Sequence, residues 1–107
     1  MPTYVLMTKL SPAVLCDPRG RKAVGKEWKK LVDRACPGVR WLNHYALLGR
    51  YDFMDIYEAP DEATAHKVSL LSLTSGATSA ESWPALPYEQ FLAIADSVEQ
   101  AAGVKKK

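Results

Sequence analysis

The chain has 107 residues, 48% of them hydrophobic and 24% charged, with a formal net charge of +2. That length holds one domain around one core, that composition excludes wholesale disorder, and no run nears the roughly 18 apolar residues of a membrane-crossing helix. Charge is split between the halves, with ten Lys/Arg against three Asp/Glu in residues 1–50 and four against nine in residues 51–107, as a nucleic-acid face or one solvated basic helix face would give.

The first predicted element is a strand over 3–10, in which Tyr4-Val5-Leu6-Met7 is apolar on both sides and Ser11-Pro12 stops the run. A helix follows, with Asp17 as N-cap and Pro18 in its first turn. Val24, Trp28, Leu31, Val32 and Ala35 share one face of it, and Pro37-Gly38 ends it. A second strand over about 39–48 leads to a turn at Gly49-Arg50-Tyr51-Asp52, and a third runs to Ala59. On that strand Phe53, Asp55 and Tyr57 point one way and Met54, Ile56 and Glu58 the other. Asp61 caps a second helix, whose buried side is read as Ala63, Val68, Leu70, Leu71 and Leu73, closed by Gly76. Thr78 to Pro84 reads as a fourth strand, in which Pro84 marks an edge or a strand end, and Pro87 opens a terminal helix with Phe91, Leu92 and Ile94. Residues 1–100 are one domain, and 101–107 a frayed basic tail.

The order β-α-β-β-α-β plus a terminal helix is the ferredoxin-like α+β arrangement, an antiparallel sheet with both main helices on one face. Three segments, Met1-Pro2-Thr3-Tyr4-Val5-Leu6, Gly49-Arg50-Tyr51-Asp52 and Glu58-Ala59-Pro60-Asp61-Glu62, resemble the GYD-domain family. The resemblance spans residues 1–95 and implies a dimeric α+β barrel, two such sheets packed face to face. Relatives with that fold include cofactor-independent monooxygenases, lactone isomerases and proteins of unknown role, so the fold leaves the chemistry open. The sheet supports a homodimer independently. If the helices cover Val5, Met7, Met54 and Ile56, the other face carries Tyr4, Leu6, Phe53 and Tyr57 and is too apolar to stay wet. The alternative is the C-terminal helix folding over it.

Several residues are candidates for chemistry. In the Gly-x-Tyr-Asp turn, Asp52 either caps its own turn or, with Tyr51, lines a pocket as acceptor and donor. A carboxylate at Asp55 on a buried strand face needs a partner. A hairpin register placing residue 48 opposite 53 sets Ala46 against Asp55 and His44 against Tyr57, and so gathers His44, Asp55 and Tyr57 on one face, a set able to transfer protons. Candidate catalytic residues are therefore His44, Asp55 and Tyr51, and candidate ligand-binding residues are Tyr4, Trp41, Asp52, Tyr57 and Trp83. His44 and His66 lack local ligand spacing, and Cys16 and Cys36 form neither a disulfide framework nor a metal motif, so no metal and no cofactor are expected. Met1-Pro2-Thr3-Tyr4 has no basic n-region, so no secretory signal is expected and a reduced cytoplasmic protein is. The basic helix face is interrupted by Asp17, Glu27 and Asp33 and lacks interleaved aromatics, which argues against nucleic acid.

The function these residues predict is a homodimer that binds a small aromatic or hydrophobic organic molecule. As an enzyme it would be a cofactor-independent isomerase, lyase or monooxygenase working by proton transfer. The other class is a non-catalytic dimeric interaction or stress-related accessory module.

Overall fold

A computed structural model of the chain describes residues 1–103. The expected tail residues Lys105, Lys106 and Lys107 lie outside them. In chain order the elements are β1 (Thr3–Leu10), α1 (Pro12–Leu15), α2 (Arg21–Ala35), β2 (Arg40–Ala46), β3 (Phe53–Glu58), α3 (Glu62–Thr74), β4 (Ala77–Ala85) and α4 (Tyr88–Ala101). The strands form one antiparallel sheet in the order β2-β3-β1-β4. This is the ferredoxin-like α+β arrangement that the element order predicts.

Local chemistry explains most boundaries. Asp61 accepts the Thr64 N–H at 2.8 Å and so caps α3, as expected. The short α1 was not foreseen. Ser11 caps it by accepting the Val14 N–H at 3.3 Å, and Pro12 fits its first position. Asp17 does not cap α2. Its carboxylate instead holds Arg19, through the backbone N–H at 2.8 Å and the guanidinium at 2.9 Å. The chain then turns at Gly20, with φ of 85°, and α2 starts at Arg21. Gly76 also has a positive φ, 105°, and a Cβ there would collide with Val14.

The core lies between the sheet and the pair α2 and α3. It gathers Tyr4, Leu6 and Tyr57 from the strands with Val32, Cys36, Ala65 and Val68. This reverses the expected assignment of faces: Tyr4, Leu6, Phe53 and Tyr57 face the helices, and Val5, Met7, Met54 and Ile56 are on the other side, where Met7 is buried and the others half-buried. Both faces of β1 and β3 are apolar, so alternation alone does not choose between them. Ala65, Ser72 and Cys36 are small, and they leave the depth that the bulky Tyr4, Tyr57 and Trp41 rings fill. The rings pack in series, Tyr4 on Tyr57 at 5.5 Å and Tyr57 on Trp41 at 5.1 Å between centroids. The buried side of α3 differs too. It consists of Ala65, Val68 and Ser72, with Leu71 packed beside them, while Ala63, Leu70 and Leu73 are exposed.

The terminal helix stands apart. No residue of α4 is buried, and among the described residues α4 packs substantially against no other element. Tyr88, Phe91, Leu92, Ile94 and Val98 are all exposed along it. The molecule is correspondingly long, 60 × 30 × 18 Å, with a radius of gyration of 17.3 Å. A compact chain of this length would have one of about 13 Å.

Candidate functional site

The β2–β3 hairpin builds the centre of the site. Its register pairs His44 with Asp55, Ala46 with Phe53 and Trp41 with Tyr57. The expected register is therefore two residues out. A shift of two preserves the side of the sheet that each residue faces, so His44, Asp55 and Tyr57 still share one face. An irregularity between Trp41 and Asn43 then turns Trp41 onto that same face.

Asp55 is only 4% exposed. Its Oδ1 meets His44 Nδ1 in a hydrogen bond. The imidazole lies flat against Phe53, with centroids 5.4 Å apart and planes 20° from parallel, and this stacking fixes its orientation. Burial pushes the Asp55 carboxyl up from its ordinary value, and the His44 charge and hydrogen bond only partly offset this. The carboxylate is thus the costly form of Asp55, and His44 is the partner that makes it tolerable.

The pair opens onto a cavity of about 670 Å³ between α2 and the helix-covered face of the sheet. Its walls are largely apolar, with Leu10, Val24, Trp28, Trp41 and Phe53 among them. Such a volume is within the range of small-molecule sites. Trp28 donates its indole N–H to Ser72 Oγ at 2.9 Å, and Ser72 donates to the Val68 carbonyl at 2.9 Å. Trp41 Nε1 is buried, with no hydrogen-bond partner among the described residues. The Trp28 and Trp41 rings meet edge to face at 5.2 Å, and the Lys29 amine sits 5.8 Å from the centre of the Trp41 ring.

The remaining candidates are placed elsewhere. Tyr57 is fully buried, and its hydroxyl bonds Ser82 Oγ at 2.6 Å. Burial pushes that phenol up to about 12. Tyr4 stacks on Tyr57 and belongs to the core. Asp52 does not cap its own turn: its Oδ2 accepts the Leu10 N–H at 2.7 Å and ties the hairpin to the end of β1. Tyr51 and Trp83 form a second cluster around Glu81. Tyr51 Oη donates to Glu81 Oε2 at 3.1 Å and Trp83 Nε1 donates to Glu81 Oε1 at 2.8 Å. None of these five lines the cavity. His66 is exposed on α3, 3.7 Å from Glu62. Of the expected set, the fold brings together His44, Asp55 and Trp41.

Sequence reasoning missed the part that α2 plays. Arg21, Lys22, Lys26 and Lys29 line the cavity. The signal was present as the excess of Lys/Arg in residues 1–50, but nothing in the pattern set those cations beside His44 and Asp55.

The family model described as GYD domain matches residues 4–95. A Thermus thermophilus protein named "Glutamine synthetase and cystathionine beta-lyase binding protein" is 29% identical over 97 residues, 87% of this chain and 97% of that protein. No solved structure matches.

Proposed function

Since this chain belongs to the GYD-domain family, whose fold leaves the chemistry open, we propose that it binds a small apolar organic molecule between α2 and the sheet, where His44 and Asp55 transfer a proton. The observation that carries this reading is a buried carboxylate, Asp55, hydrogen-bonded to the exposed imidazole of His44 in the wall of a largely apolar cavity. Asp55 holds Nδ1 of His44 and leaves Nε2 as the nitrogen for a ligand proton. The imidazole takes that proton from one ligand atom, the neighbouring carboxylate stabilises the imidazolium, and the same nitrogen returns the proton to another atom. That sequence is an isomerisation, or an elimination where the bond to a leaving group breaks and the departing atom takes the returned proton. It needs neither metal nor nucleotide.

Native mass spectrometry of the protein as purified from its cells tests the reading. A retained molecule is expected, released on denaturation and lost from the Asp55→Ala variant. If Asp55→Ala retains that molecule and turns it over fully, the assignment fails.

A homodimer in the cytoplasm is part of the same proposal. Two observations support the dimer: the sheet face away from the helices carries half-buried Val5, Met54 and Ile56, and α4 holds its apolar residues away from the body. The free thiols of Cys16 and Cys36 suit a reducing compartment.

A second reading is favoured by the Thermus relative, which is named for binding two enzymes. On it, this chain is an accessory module that docks on an enzyme. Mixing the purified chain with glutamine synthetase and with cystathionine beta-lyase, and weighing the products by native mass spectrometry, tests it. Separate unbound species in both mixtures would remove these two enzymes as partners.

A further inference from the structure

We infer that the cavity takes an organic anion, a flat apolar body carrying a carboxylate, with the anionic group held by the α2 cations. The inference deepens the proposed function and rests on the cavity being the binding site.

Charge supplies the first argument. Four cations, Arg21, Lys22, Lys26 and Lys29, line the cavity, and Asp55 is the one carboxylate among its lining residues. Lys29 is held by Asp33 at 2.8 Å. Arg21, Lys22 and Lys26 form no ion pair among the described residues, although carboxylates elsewhere on this surface are paired, as Asp17 and Glu27 are with Arg19. The first turn of α2 carries no acidic residue, and its N-cap, Gly20, supplies no side-chain acceptor. The positive end of the helix and three unpaired cations therefore bias one side of the cavity toward an anion. The opposite side holds His44, whose charge on protonation has the same sign.

Shape supplies the second. The Trp28 and Trp41 rings and the Phe53 ring offer flat apolar walls. Gly25 also faces this space. It sits inside α2, where glycine is a poor helix former, and a Cβ there would meet nothing within 4 Å. The chain's own packing makes no use of the room that Gly25 leaves. A ligand would.

Titration of the full chain with naphthoate, neutral naphthamide and inorganic phosphate, followed by Trp fluorescence and calorimetry, tests this. Naphthoate is expected to bind at least about tenfold tighter than naphthamide, and added salt or the Lys22→Gln/Lys26→Gln variant should narrow that gap. Phosphate alone should bind more weakly than naphthoate. Gly25→Phe, whose side chain enters open space, should abolish both aromatic ligands while circular dichroism shows the fold intact. Three results would overturn the anion assignment and leave the cavity reading standing: equal affinity for naphthamide, an undiminished gap in the charge-neutralised variant, or phosphate binding as tightly as naphthoate. Binding of neither aromatic probe, or aromatic binding untouched by Gly25→Phe, would overturn both.

Discussion

Asp55 is the residue on which the proposed chemistry turns, and its energetics can be measured without a substrate. Burial raises its carboxyl above the ordinary 3.8, so the folded state holds the Asp55 proton more tightly than the unfolded chain does. A group shifted in this direction contributes stability that is fully present below its unfolded value and is lost as pH rises through the folded one. Asp55→Asn removes that titration and keeps the shape. The thermal midpoint of the variant, relative to the parent, should therefore rise as pH increases above the ordinary carboxylate value; a difference that stays flat would show that His44 fully compensates the charge. Tyr57 makes the opposite case, of a polar group with a structural task. Its hydroxyl belongs to a chain through Ser82 to Ser69, whose oxygens lie 2.8 Å apart. Tyr57→Phe should cost about 1 kcal/mol in urea unfolding, the ordinary worth of one hydrogen bond. It should leave ligand binding unchanged, because Tyr57 does not line the cavity.

Among the elements, α2 serves two ends that compete. Val32 anchors it in the core, and Trp28 and Ala35 pack beside that anchor, as the helical spacing predicts. Its other exposed flank is basic and borders the cavity. Gly25 lies between these roles. Gly25→Ala should stabilise the protein by about 0.5–1 kcal/mol, the helix-propensity gain, since the added methyl meets nothing. A rise of a few degrees in the thermal midpoint would register it, and a fall would mean that the helix needs glycine for its own geometry. The β2–β3 hairpin shows how far local sequence reaches. The turn at Gly49, with φ of 143°, was legible from glycine and its neighbours. The register was not, because the loop before Asp52 is longer than a tight turn, and the Asp52 side chain bonds to Leu10 on β1 while only its carbonyl closes the loop, accepting the Leu47 N–H at 2.9 Å. The same limit hid α1, a helix of four residues too short to show a period.

For the whole molecule, the question is what covers the open sheet face and α4. Side chains such as Tyr88, Phe91 and Ile94 each expose on the order of 100 Å² of apolar surface. Two copies packing together would bury the arms and the faces at once. The total would be near the roughly 800 Å² per partner of a stable interface. The full chain should therefore weigh as a dimer at micromolar concentration in sedimentation velocity. Phe91 and Met54 are exposed or half-buried in the single chain, so neither Phe91→Asp nor Met54→Asp should unfold it. Each should shift the sedimenting species toward monomer with its circular dichroism retained. A parent that sediments as a monomer would refute the dimer and leave the cavity unaffected.

Sequence by itself determined the kinds and order of the elements other than α1, the α3 cap at Asp61, the glycine turn and the need of Asp55 for a partner. These follow from short-range rules: side-chain periodicity, capping hydrogen bonds, the freedom of glycine and the cost of burying a charge. Tertiary structure alone decided which apolar face of the sheet meets the helices, because alternation makes two faces and only the volumes of facing residues choose between them. It also decided that His44 stands directly opposite Asp55, that Tyr51 and Trp83 gather around Glu81, and that the α2 cations border the same cavity. Those are distances between segments far apart in the chain, and packing sets them.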